Sequence, residues 1–274
     1  MKTALFAIGT GILTAAQICV GNAVAMDNLR MTHSVYLGGL FMGSVDTEID
    51  QSVSGYTVNT TAKTNENMRW MFSWAAKGAT MGDVSGIQVQ PVQHTHLSRW
   101  KGKERGADIK YSPDGKVSYT VSGKKSNNPN KYTNLDPEAV HNSLDPMSMI
   151  LAATLEFEKT NVCEGRYPVF DGRRRYDVIL TDGGSRNFSK SNYSVFEGKA
   201  IGCKLDIVEK GGFKKDKDYD LAKETDLVIW VAAPAPGGRV VPVRMQVDTG
   251  FGKMELHLER YQHGNAKLAS KNAQ

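Results

Sequence analysis

Apolar and polar residues alternate along most of the chain. Val117, Tyr119 and Val121 fall on one side, with Lys116, Ser118 and Thr120 on the other. Val241, Val243, Met245 and Val247 alternate with Pro242, Arg244, Gln246 and Asp248. Met254, Leu256 and Leu258 alternate with Glu255, His257 and Glu259. A period of two marks a half-buried strand, because successive side chains leave a strand on opposite faces. Strands also fit residues 32–50, 56–64, 93–111, 193–208 and 226–233. Turn signals separate them: Pro113-Asp114-Gly115, Asp171-Gly172, Asp182-Gly183-Gly184 and Asp248-Thr249-Gly250. Many strands on short connections predict a mostly β fold, an antiparallel curved sheet, open β-barrel or spiral.

Two segments break the alternation. Asp145-Pro146 is a helix start, with Asp as N-cap and Pro in the first helical position. Met147, Ile150, Leu151 and Leu155 then recur at helical spacing, and Met149, Ala152 and Ala153 cover the other side. A helix apolar nearly all round is a buried one; in a curved sheet it fills the concave side. The second segment, residues 67–74, is rich in Met and aromatics and includes Trp70 and Trp74. It predicts a short helix closing one end, either as core packing or as a greasy lid over an acyl ligand.

The N-terminus changes the compartment. Lys2, an apolar run over residues 4–20 and Ala23-Val24-Ala25 form a secretory leader cleaved after Ala25. Ile18 stands where a lipidation signal at Cys19 wants a small residue, and the run is short and interrupted for a retained span. The expected product is a soluble periplasmic protein. It has a single domain over residues 26–263, and residues 264–274 form a polar, flexible tail. The formal charge of +5 falls by one when Lys2 leaves. The basic residues are scattered, which excludes a nucleic-acid arm and leaves a weak attraction to anionic envelope lipid or polymer. Once Cys19 has left, Cys163 and Cys203 remain. In an oxidising compartment they predict one disulfide, worth about 4 kcal/mol in the chain-entropy account.

Candidate chemistry centres on Arg173-Arg174-Arg175. If Asp171-Gly172 is the turn and the strand starts at Arg173, then Arg173, Arg175 and Asp177 share a solvated face. Arg174, Tyr176, Val178 and Leu180 share the apolar one. Arg174 then points inward at the end of its strand and needs a carboxylate or phosphate partner, internal or on a lipid headgroup. His94 and His96 share a strand face, as two metal ligands do, but no third ligand stands nearby, and His257 with Glu259 repeats the geometry. No metal or cofactor is expected. G-x-S-x-G, H-E-x-x-H and P-loop patterns are absent, and Gly183-Gly184-Ser185 is read as a turn; no enzymatic activity is expected.

Several phrases, in order, carry a resemblance: Tyr36-Leu37-Gly38-Gly39 with Gly43, the Tyr56 strand, Tyr111-Ser112-Pro113-Asp114-Gly115, and Asp145-Pro146-Met147-Ser148. Val169-Phe170-Asp171-Gly172-Arg173-Arg174-Arg175-Tyr176, Val241-Pro242-Val243-Arg244 and Phe251-Gly252 complete it. The chain resembles bacterial exported proteins of domain-of-unknown-function family 3108. The resemblance implies an envelope-associated, mostly β protein, a curved sheet or open barrel about a helix, similar in shape to periplasmic lipoprotein carriers. It brings no catalytic residues. The expectation is a non-enzymatic envelope protein holding a lipid or acyl-bearing ligand in a concave β cavity. Arg174 and Tyr176 would be its polar groups, and Met147, Ile150, Leu151, Leu155, Trp70 and Trp74 its apolar ones. The alternatives are an envelope protein-interaction scaffold plugged by its own helix, or an unrecognised hydrolase.

Overall fold

The computed structural model describes residues 26–70, 72–123, 129–216, 227–249 and 252–273. The expected leader lies outside the described residues. The first half of the chain is a meander of seven strands: β1 (Asp27–Leu37), β2 (Leu40–Gln51), β3 (Gly55–Thr64), β4 (Trp74–Ser85), β5 (Gln88–Trp100), β6 (Lys103–Tyr111) and β7 (Val117–Ser122). The helix α1 (Pro146–Thr160) follows. A second meander runs through β8 (Gly165–Phe170), β9 (Arg175–Phe188), β10 (Gly198–Gly211), β11 (Val228–Ala232), β12 (Val241–Thr249) and β13 (Gly252–His263). Finally β14 (Ala266–Ala269), in the stretch expected to be a flexible tail, pairs with β13.

All strands join one antiparallel sheet in the order β7-β6-β5-β4-β3-β2-β1-β13-β12-β11-β10-β9-β8. The first and last long strands meet in its middle, with Ser34 opposite His257 and Val35 opposite Leu256. The sheet therefore ends at β7 and β8, and it curls until those edges approach without closing. A parallel bridge between Leu144 and Val169 sits at this seam, and the ring of Phe170 meets Tyr119 edge-on at 4.7 Å. Gly172 has φ +86°, and a Cβ there would collide with the Ala107 methyl of β6. Only glycine lets the β8–β9 turn come this close. On β7, Val117 is buried but Tyr119 and Val121 are exposed. Their alternation is real, but an edge strand has a hydrogen-bonded neighbour on one side only, here β6.

The helix begins as its sequence dictates. Asp145 accepts hydrogen bonds from the backbone of Met147 (2.9 Å) and Ser148 (3.0 Å), and Asn161 ends the helix in the left-handed conformation. Leu151 and Leu155 pack into the main core with Leu29, Ile49, Tyr56, Val58, Val241, Val243, Leu258 and Tyr261. Met149 and Ala152 pack on Tyr167, Val169 and Val178, and Phe157 on the two cysteines. Each fully buried leucine contributes about 1.5–3 kcal/mol. The expectation of burial all round fails at Ile150, which is 50% exposed, because it faces the part of the curve that the sheet leaves open.

Residues 67–74 differ from expectation. Among the segment's described residues only a short 3-10 turn, Glu66–Met68, forms, capped by Asn65. Met68 is buried, Trp70 is 83% exposed and Trp74 already belongs to β4.

Candidate functional site

The register of β2 to β6 defines the concave wall. Thr47, Thr60, Gly78, His96 and Ala107 lie opposite one another across five strands, and Val45, Ala62, Ala76, Ser98 and Arg105 form the next row. These rows face the helix, since a Cβ on Gly78 would sit 3.1 Å from Met147 Sδ. Below them, Val58, Thr80, His94 and Ile109 are buried. Above, Thr47, Thr60, Ala76, Gly78, His96 and Ser98 are half-buried. The helix thus covers the lower wall, and a strip of small side chains beside Met147 and Ile150 stays open to solvent. At its top, Trp74 and Trp100 lie opposite each other, with Phe72 edge-on to Trp100 at 4.4 Å.

A buried polar chain ties this wall to the helix. Tyr56 Oη lies 2.7 Å from Ser148 Oγ, and Ser148 donates to Asp145. Asp145 Oδ1 is 3.1 Å from His94 Nδ1, and His94 Nε2 is 3.3 Å from His96 Nδ1. Thr80 Oγ1 also approaches His94 Nδ1, at 3.2 Å. A carboxylate only accepts, so His94 donates from Nδ1 to Asp145, leaving Nε2 to accept from His96. Burial pushes the Asp145 carboxyl up, but its bonds to His94 and Ser148 outweigh this and hold it below the usual range. Burial, reinforced by His94, lowers His96, and burial raises Tyr56.

This geometry answers two questions from the sequence. The histidine pair faces the same way, as expected, but the rings hydrogen-bond to each other rather than converging on a shared point. Among the described residues no group of three His, Cys, Asp or Glu could hold a metal. Serine, histidine and aspartate do meet, but the carboxylate stands between the other two. Ser148 donates its hydrogen bond directly to Asp145, and His94 meets the carboxylate rather than the serine, unlike a hydrolytic triad.

The arginines have another task. The turn runs through Arg174 and the strand starts at Arg175, so Tyr176, Val178 and Leu180 share the inner face as expected, while Arg174 stays in the turn and off that row. Arg174 is 53% exposed along its side chain and pairs with Asp171 at 2.7 Å, with Phe213 beneath it at 5.6 Å. Asp171 also accepts from the backbone of Arg173 and Arg174. Arg173 donates to the carbonyl of Ser122 on β7, across the seam. Arg175, expected on a solvated face, is only 12% exposed. It donates to Ala139 O (2.9 Å), Tyr176 O (2.6 Å) and Asp177 (2.6 Å). Arg166 holds Asp177 from the other side at 2.6 Å. Burial opposes ionisation of Asp177, but these bonds keep its carboxyl below the usual range. Arg173 thus reaches across the seam to β7, Arg174 closes the turn on Asp171, and Arg175 ties β9 to the Glu138–Val140 turn.

The other expected site residues separate. Tyr176 is half-buried and meets Phe213 edge-on at 6.1 Å. Leu151 and Leu155 are core, Met147 and Ile150 border the open strip, Trp74 tops it and Trp70 stands clear of it. Cys163 and Cys203 are bonded, with Cα atoms 5.2 Å apart. His257 and Glu259 lie buried on different partners: His257 under Tyr36 and Tyr193, and Glu259 accepting from Ser34.

A family model described as a protein of unknown function, DUF3108, matches residues 32–259. The chain belongs to this family. Its fold is similar to that of a solved protein from Brucella abortus, described as a beta-barrel-like protein of domain of unknown function DUF1849. Identity is 15%, the TM-score is 0.54, and the match covers 89% of this chain and 100% of that one. No curated protein matches the sequence. The DUF3108 chain thus shares an architecture with the DUF1849 protein, and the likeness carries fold alone.

Sequence reasoning missed the Asp145–His94 contact. The residues are far apart in the chain, and the cap motif accounts for Asp145 without it. The small-residue strip had a signal, since Ala76, Gly78, Thr60 and Ala62 all stand in strand segments where larger residues pack better.

Proposed function

We propose that the chain is an exported cell-envelope protein, without enzymatic activity, that holds an acyl chain of a lipid or lipidated molecule. The ligand lies along the strip of β3–β5 beside α1. The carrying observation is that the helix covers only the lower concave wall. The upper rows, Thr60, Ala76, Gly78 and Ser98, are small and half-buried, with Gly78 against Met147. Ligand sites are concave and mostly apolar with a few placed polar groups, and His96 supplies one here. The leader and the disulfide support export to an oxidising compartment. The blocked serine supports a binding role over a hydrolytic one. Among the described residues no helix is long and apolar enough to cross a membrane.

Uptake of a fluorescent fatty acid by delipidated protein tests this reading. The native protein is expected to saturate, and Ala76→Phe, which fills the strip from a half-buried position, to abolish uptake without lowering the melting temperature. No uptake by the native protein, together with a native mass equal to the bare chain, would overturn it. That result would favour the plugged scaffold, for which the burial of Leu151 and Leu155 in the main core already speaks.

A further inference from the structure

The β1–β2, β3–β4 and β5–β6 connections all lie at one end of the sheet. Leu37 pairs with Leu40, Gly43 with Thr64, and Trp100 with both Trp74 and Lys103. That end presents large apolar side chains to solvent: Leu40 at 51%, Trp70 at 83% and Trp100 at 42% exposure. They are held there by local structure. Met68 is buried beneath the β3–β4 connection, the Phe72 amide donates to Met68 O at 2.8 Å, and Phe72 braces Trp100 edge-on. The Asn65 amide ties the same connection to Met42 O of β2 at 2.8 Å. Trp70 is therefore carried outward on a braced loop.

Around these side chains stand Arg69, Arg99, Lys101, Lys103 and Arg105, against two carboxylates, Glu66 and Glu104, of which Glu66 faces Arg69 at 3.8 Å. Glu104 is used by Arg99. Lys101, Lys103 and Arg105 are exposed and have no carboxylate partner among the described residues. We propose that this end of the sheet docks on an anionic bilayer surface, with Trp70 and Trp100 at headgroup depth and Lys101, Lys103 and Arg105 over the phosphates. Tryptophan favours that depth because its ring is apolar and its N–H still finds a partner there. Clustered cations add an attraction reaching about one Debye length, ~8 Å at physiological salt. A protein partner of matching charge is the competing occupant. Protruding tryptophans at one rim of the sheet, with loose cations around them, fit a fluid headgroup layer better than a preformed interface. This proposal does not rest on the acyl strip.

The test is sedimentation of the mature chain, residues 26–274, with sucrose-loaded vesicles of phosphatidylcholine alone or mixed with phosphatidylglycerol. Binding is expected only with phosphatidylglycerol, with a blue shift of tryptophan emission and release at high salt. Lys103→Glu combined with Arg105→Glu should lower the bound fraction about tenfold or more, by loss of two cations near the surface. Trp70→Ser should lower it about fivefold, as expected for one interfacial anchor. Both variants change exposed side chains, and an unchanged melting temperature confirms that they fold. No binding to phosphatidylglycerol vesicles, equal binding to both vesicle types, or binding that survives both variants would overturn the proposal. Fatty-acid uptake by Trp70→Ser, measured in parallel, keeps this outcome separate from that of the acyl strip.

Discussion

His94 Nδ1 stands 3.1 Å from Asp145 Oδ1, and this pair joins the inner wall of the sheet to the first turn of the only α-helix among the described residues. Asp145 has two tasks at once. Its side chain caps α1 and it receives His94 and Ser148 in a site closed to water. Asp145→Ala should therefore cost more than an ordinary cap. Loss of the cap contributes about 1 kcal/mol, and the buried partners left unsatisfied contribute about 1–3 kcal/mol more. Urea unfolding should show a loss of about 2–4 kcal/mol, and a loss under about 1 kcal/mol would mean that the network carries no load.

The pH dependence follows from the groups whose protonation the fold resists. Burial lowers His33, His96 and His257 below the usual imidazole range. The unfolded chain then binds protons before the folded one does. Their contribution to stability is complete above about pH 6.5 and declines as the pH falls from there. Asp145 and Asp177 are held below the usual carboxylate range, so their contribution is complete above about pH 4 and is lost on further acidification. Melting temperature measured from pH 8 to pH 3 should fall in two stages. His33→Asn should flatten the upper stage, and an unchanged slope there would remove His33 from the account.

The Cys163–Cys203 bond fastens the end of α1 to β10 and closes a loop of sequence separation 40. Replacing both cysteines by serine should cost about 4 kcal/mol by loop entropy. The melting temperature of the native protein should respond to a reductant, and that of the double variant should not.

At the seam, Arg175 and Arg174 should behave differently despite being neighbours. Arg175→Ala removes a buried guanidinium from three acceptors, although Asp177 keeps Arg166, and should cost about 2–3 kcal/mol. Arg174→Met removes an exposed pair with Asp171 and should cost under about 1 kcal/mol. Hydrogen exchange should show faster opening of β8 and β9 in the Arg175 variant alone. Equal effects in the two variants would mean that Arg175 does not hold these strands.

Leu151 is the side chain on which the plug depends most, being fully buried in the main core. Leu151→Ala should cost about 2.7–5 kcal/mol, the range for cavities in well-packed cores. Chemical denaturation checks it, and a value near 1 kcal/mol would show that the helix is loosely held.

Much of this protein is legible without its tertiary structure. The period-two strands, the Asp145-Pro146 helix start, the paired cysteines and the order of family phrases are local or compositional signals. Each depends on chain geometry within a few residues or on the redox compartment. What sequence could not settle were relations across the sheet. Whether the arginine run starts the strand at Arg173 or Arg175 turns on one hydrogen-bonded turn; the two-residue difference keeps Tyr176, Val178 and Leu180 on the inner face but leaves Arg174 in the turn, off that row. Arg175 became buried because the Glu138–Val140 turn lies against it, with Ala139 O accepting from its guanidinium. Trp70 stayed exposed because it lies on the connection between β3 and β4, and Ile150 because it lies on the one face of α1 that the sheet does not cover. His94 found Asp145 only once β5 lay against the helix. These outcomes depend on how far a twisted sheet bends before its edges touch, a property of the whole assembly of strands that no single stretch of residues encodes.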